Sequence, residues 1–131
     1  MKTEIDIYKQ EQTKNIIKHI TDAYNAKPEF LWEKYPGFCI FRNDRNKKWF
    51  ALITQIAARQ LGLEHNDNVE VLNLRFDRHE ALDFTSSHEN FFPAYHMNKN
   101  NWYSIILDGK LDNNIIFELI EKSYLIVNNK K

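Results

Sequence analysis

The chain has 131 residues, 43% hydrophobic and 14% aromatic, enough apolar material for one domain with its own core and too much for a disordered chain. Its 18 basic residues balance 18 acidic ones, so the global basic excess of a dedicated nucleic-acid binder is absent and any such role needs a local basic face. Cys39 is the single cysteine, which excludes an internal disulfide. With no signal-like or membrane-length apolar run, the sequence predicts a cytoplasmic protein that does not enter a membrane.

From about Glu11 to Asn25, Ile16, Ile17, Ile20, Ala23 and Tyr24 recur at helical spacing, with Lys14, Lys18 and Asp22 opposite. Pro28 closes this helix, and Trp32 to Pro36 is a turn-rich connection. Phe38 to Phe41 and Trp49 to Ile53 read as two strands of a hairpin around the turn formers Asn43 to Asn46. Both strands are apolar on both faces, which predicts central positions in a sheet. Ala57 to Leu63 winds briefly and stops at Gly62, and Val69 to Phe76 is a third strand. Asp77 caps a short helix through about Phe84, and Asn90 to Asn101 is irregular around Pro93. Trp102 to Leu107 is a further strand ended by Asp108-Gly109. Asp112 caps a last helix whose stripe is Ile116, Leu119, Ile120, Tyr124 and Val127. With short connections and no linker, the expectation is a single α+β domain over residues 1–131, an antiparallel sheet with helices on one face.

Catalytic and metal motifs are missing. The histidines His19, His65, His79, His88 and His96 form no pair at helical ligand spacing, and Ser86, Ser87 and Ser104 lie in no nucleophile motif. Gly37, Gly62 and Gly109 are too far apart to cradle a phosphate, and Cys39 reads as inert filler of an apolar strand. The expectation is a protein without enzymatic activity, cofactor or metal. Two segments stand out. Arg42-Asn43-Asp44-Arg45-Asn46-Lys47-Lys48-Trp49 puts four basic residues against one acid at a hairpin tip. Such a tip can reach phosphates, with Asn43 or Asn46 aimed at a base edge, although any hairpin shows charge to water. Pro93 to Trp102 alternates aromatics and polar donors without a period, so Tyr95, His96, Asn98, Lys99 and Trp102 either hold a ligand or hold the loop.

These two segments also carry a likeness. Phe41-Arg42 followed by Lys48 to Ile53, then Val69 to Arg75, then Pro93 to Lys99 with Trp102, resembles the MmcQ/YjbR-like family; Leu107-Asp108-Gly109 and Ser123-Tyr124 complete the pattern. The resemblance spans about residues 28–127. Arg75 departs from it, since a lysine is commoner there. It implies a fold related to type III secretion chaperones, in the order α-β-β-β-α-β-β-α, and a proposed DNA-binding role through a double-wing surface. Its signature positions here are Arg42, Lys48, Trp49, His96, Asn98, Lys99 and Trp102, with Trp49 serving packing.

The leading expectation is a DNA-binding module in which Arg42, Arg45, Lys47, Lys48 and Lys99 meet phosphates and His96 and Asn98 meet bases or sugars. A sharper expectation follows: Arg42 and Lys99 share one surface. The alternative is a protein-interaction or chaperone-like module, possible as a homodimer, suggested by zero net charge and high aromatic content. A third is a small-ligand site around His96, Asn98 and Lys99, which requires a concave pocket there.

Overall fold

The computed structural model describes residues 7–77, 91–93 and 102–128. In chain order it contains α1 (Glu11–Tyr24), β1 (Cys39–Arg42), β2 (Trp49–Ala57), a 3₁₀ turn (Ala58–Leu61), β3 (Asn68–Arg75), β4 (Phe91–Pro93), β5 (Trp102–Ile106) and α2 (Asn113–Asn128). The strands form one antiparallel sheet in the order β1-β2-β3-β5-β4, the expected α+β architecture. The expected helix from Asp77 to Phe84 lies, beyond Asp77, outside the described residues.

Both helices are amphipathic and pack on the same side of the sheet. Ile16, Ile17 and Ile20 of α1 and Ile116, Leu119, Ile120 and Val127 of α2 join one core with Ala51, Ile53, Leu72, Leu74, Tyr103 and Ile105. Each fully buried aliphatic side chain of this kind stabilises by roughly 1.5–3 kcal/mol. Helix α1 ends because Asn25 turns left-handed (φ 52°), ahead of Pro28. Helix α2 begins as expected, the Asp112 carboxylate accepting the Asn114 N–H at 2.8 Å. Gly62 stops the 3₁₀ turn at φ 88°.

Buried polar groups tie the layers together. The Glu70 carboxylate accepts from Lys9 N (2.7 Å), Gln10 N (3.1 Å) and Gln55 Nε2 (3.0 Å), which fixes the approach to α1. Gln12 links α1 to the turn before α2, donating to the Leu111 carbonyl and accepting from Gly109 N. The Tyr8 hydroxyl donates to the Gly37 carbonyl (3.0 Å) and lies 3.3 Å from the Sγ of buried Cys39.

Three expectations are corrected. First, β1 is an edge strand rather than a central one. It is apolar on both faces because both are buried, and its outer edge is covered by an isolated bridge in which Glu29 and Ile40 exchange both backbone hydrogen bonds (2.9 and 3.0 Å). Second, β2 runs to Ala57 and carries a bulge. Phe41 pairs with Ala51 and Arg42 with Trp49, which leaves Phe50 as an extra residue. Third, Phe91–Pro93, read as irregular, pairs with β5 at the other edge, where a proline is tolerated.

Candidate nucleic-acid interface

The β1–β2 hairpin tip is built by its asparagines. Asn43 Oδ1 accepts from Arg45 N (2.8 Å) and Asn46 N (3.4 Å), while Asn43 N donates to the Lys48 carbonyl and Lys47 N to the Asn43 carbonyl. Lys47 closes the loop with a left-handed backbone (φ 63°). The tip is then clamped onto the end of α2. Asn46 Nδ2 donates to the Val127 carbonyl at 2.8 Å, and Asn43 Nδ2 lies 3.3 Å from Asn128 Oδ1. Helix α2 has no basic residue in its last turn, so the amide of Asn46 supplies a donor that its terminal carbonyls need. Both side chains expected to face a base edge thus hold the fold, and Asn43 is fully buried.

The cations divide in two. Arg42 Nε donates to both Glu29 carboxylate oxygens (3.1 and 2.9 Å) and its Nη1 donates to the Lys47 carbonyl, so its charge is paired and two of its three nitrogens are engaged. Arg45, Lys47 and Lys48 are exposed at the tip, along with Asp44. His96, Asn98 and Lys99 lie outside the described residues, as does the expected meeting of Arg42 with Lys99.

The far side of the sheet holds features that strand alternation alone did not reveal. The bulge at Phe50 breaks the alternation, sending Phe50 into the helix-side core against Tyr24 and Tyr124 and leaving Trp49 on the other side. Trp49 meets Trp32 there at 5.8 Å and 87°, and Trp32 meets Phe38 at 6.0 Å and 72°. These rings wall a cavity of about 530 Å³ whose floor includes Leu52, Thr54 and Asn73. Asn73 is buried; its Nδ2 donates to the Leu52 carbonyl and its Oδ1 accepts from the Ser104 hydroxyl. At the end of the same side the Arg75 guanidinium sits 5.7 Å over the Trp102 ring. Burial lowers the pKa of Arg75, and its Nε is enclosed without a hydrogen-bond partner. A lone amide inside the apolar run Val71-Leu72-Asn73-Leu74 was the available signal for this side.

A five-stranded antiparallel sheet with two described helices on one side defines the class: small α+β proteins built on a single sheet. The YjbR family profile matches residues 21–126, and the chain belongs to that family. It is 37% identical over 110 residues to YyaQ of Bacillus subtilis (strain 168), covering 84% of this chain and 92% of that protein. A crystal structure of a Pseudomonas syringae protein superposes with a TM-score of 0.82 at 32% identity, covering 87% of this chain and 97% of that one. The Deinococcus radiodurans protein DR2400 shares the fold, with a TM-score of 0.66 at 20% identity over 87% of this chain and 79% of that one. No helix among the described residues is long and apolar enough to cross a membrane.

Proposed function

We propose that the chain is a cytoplasmic, non-catalytic DNA-binding module that grips phosphates with Arg45, Lys47 and Lys48. The supporting observation is the tip itself. Its backbone is fixed by Asn43 and anchored to α2 by Asn46, and all three basic residues are exposed. Cations on a pre-set loop lose less conformational freedom on meeting a phosphate than cations on a mobile one. Arg42 has a positioning role here, because Glu29 already holds its charge. His96, Asn98 and Lys99 enter this reading through the family resemblance alone.

The test is fluorescence anisotropy of a labelled mixed-sequence duplex at low and near-physiological salt. Binding should weaken steeply with salt, and each of Arg45→Ala, Lys47→Ala and Lys48→Ala should reduce the log–log salt slope by about 1. No binding at low salt, or unchanged slopes, would remove the proposal. A protein-contact reading, as a homodimer or chaperone-like module, draws on Leu31 and Tyr35, which expose 48% and 53% of their surface in one connection. Light scattering at two concentrations decides the homodimer.

A further inference from the structure

We propose that the far-side cavity walled by Trp32 and Trp49 is a binding site for a small, flat, uncharged heteroaromatic molecule, independent of the hairpin tip and of DNA. The volume of about 530 Å³ falls in the range of roughly 300–1,000 Å³ typical of small-molecule sites. Its walls select shape. Trp32 and Trp49 stand perpendicular (87°), so a planar ring system stacks on one indole and meets the other edge-on, both favoured aromatic geometries.

Its lining selects charge. No carboxylate, ammonium, guanidinium or imidazole is present among the described residues that line it, and an ionised ligand would lose water there without a counter-ion.

Its floor selects a polar atom. Thr54 is 7% exposed, and among the described residues its hydroxyl makes no hydrogen bond, so it is open to the cavity. Alternation along β2 puts Thr54 on the same side as Leu52 and Ile56, facing the cavity. Asn73 uses one of its two amide hydrogens on the Leu52 carbonyl and one acceptor position on Ser104, which leaves one of each. A cavity-facing hydroxyl beside a half-used amide offers a donor and an acceptor in otherwise apolar surroundings, which a ligand with one ring nitrogen or carbonyl can take up.

The experiment is a ¹⁵N-resolved titration of the three tryptophan indole N–H signals with quinoline, which is neutral at pH 8. Trp32→Phe and Trp49→Phe assign the peaks, and Trp102, buried and outside the cavity walls, is the internal control. Saturable shifts of Trp32 and Trp49 with Trp102 still are expected, with 2-naphthoate binding much more weakly. Thr54→Val keeps shape and removes the hydroxyl, and should weaken quinoline about 2- to 10-fold, the range of one net hydrogen bond. Ile56→Phe, on the same side of β2 as Leu52 and Thr54, adds bulk inside the cavity and should abolish the shifts. No shift up to low-millimolar quinoline, equal movement of all three peaks, or equal binding of 2-naphthoate would overturn the proposal. A single-stranded oligothymidine that moved the same two peaks at lower concentration would overturn the assignment to a free molecule. The duplex-binding test reads the hairpin tip alone, so either idea can fail without the other.

Discussion

Adjacent rungs of the sheet show how differently its two sides are built. On the helix side, Cys39, Ile53, Leu72, Ile105 and Phe91 line up across β1, β2, β3, β5 and β4. One residue along, Ile40, Leu52, Asn73, Ser104 and Phe92 line up on the far side. Burial is nearly as complete at the centre of the second rung, where Leu52, Asn73 and Ser104 expose 7%, 3% and 1%, while Phe92 at its edge is half-buried. The difference is chemical. The helix-side rung is filled by apolar groups that need only volume, whereas the far-side rung keeps an amide and a hydroxyl that must be bonded. The helix-side rung is thus held by packed volume alone, while the far-side rung also depends on a satisfied polar pair.

The largest break in that contrast comes from Leu72→Ala. Leu72 is fully buried in the core between α2 and the sheet, and the substitution should cost about 2–5 kcal/mol in urea unfolding. Thr54→Val two rungs from Leu52 on the other side should change stability by less than about 1 kcal/mol, since no protein hydrogen bond is lost. A larger cost for Thr54→Val would mean that its hydroxyl is structural, and the cavity reading would lose its polar anchor.

A middle-sized effect is expected where the two sides meet at the end of the β2–β3 ladder. Ala51↔Leu74 is the last rung. Beyond it the hydroxyl of buried Ser123 donates to the Phe50 carbonyl at 2.6 Å and accepts from Arg75 N at 2.9 Å, standing in for the next pair of strand hydrogen bonds. Ser123→Ala leaves both backbone groups without that partner and should cost about 1–3 kcal/mol. Hydrogen exchange of the Arg75 amide should speed up more than that of neighbouring Leu74. Unchanged exchange at Arg75 would refute the bridge.

The helices were legible because their apolar residues repeat at 3.6: Ile16, Ile17 and Ile20 in one, Ile116, Leu119, Ile120 and Val127 in the other. The Asp112 cap and the Gly62 stop were legible from local chemistry, and the family from its motif blocks. The faces of β2 were not. An alternation of two puts Trp49 with Ala51 and Ile53, and only the bulge at Phe50, set by pairing with β1, moves it to the cavity. Nor was the fate of Arg42 visible. Its partner Glu29 lies thirteen residues away, brought near by a backbone bridge that no local pattern encodes. The hairpin was recognised as basic, but Asn43 and Asn46 gave no sign in sequence that α2, some eighty residues later, would claim them.

The smallest expected effect separates what the hairpin tip does for folding from what it does for binding. Lys47 has a left-handed backbone at φ 63°, where its Cβ crowds the following carbonyl at a cost of roughly 1–2 kcal/mol. Glycine removes that strain but adds freedom to the unfolded chain, which returns a part of the gain. Lys47→Gly should therefore raise stability slightly, by about 0.5 kcal/mol, read as a small upward shift of the urea midpoint at constant slope. The same variant deletes an exposed cation, so its DNA affinity at low salt should fall as far as that of Lys47→Ala. Opposite signs for stability and affinity would mark Lys47 as a residue kept against folding for the sake of a contact. If Gly and Ala lose no affinity, the strain at Lys47 serves only the loop. If Lys47→Gly destabilises the chain, the left-handed turn is not what holds the tip.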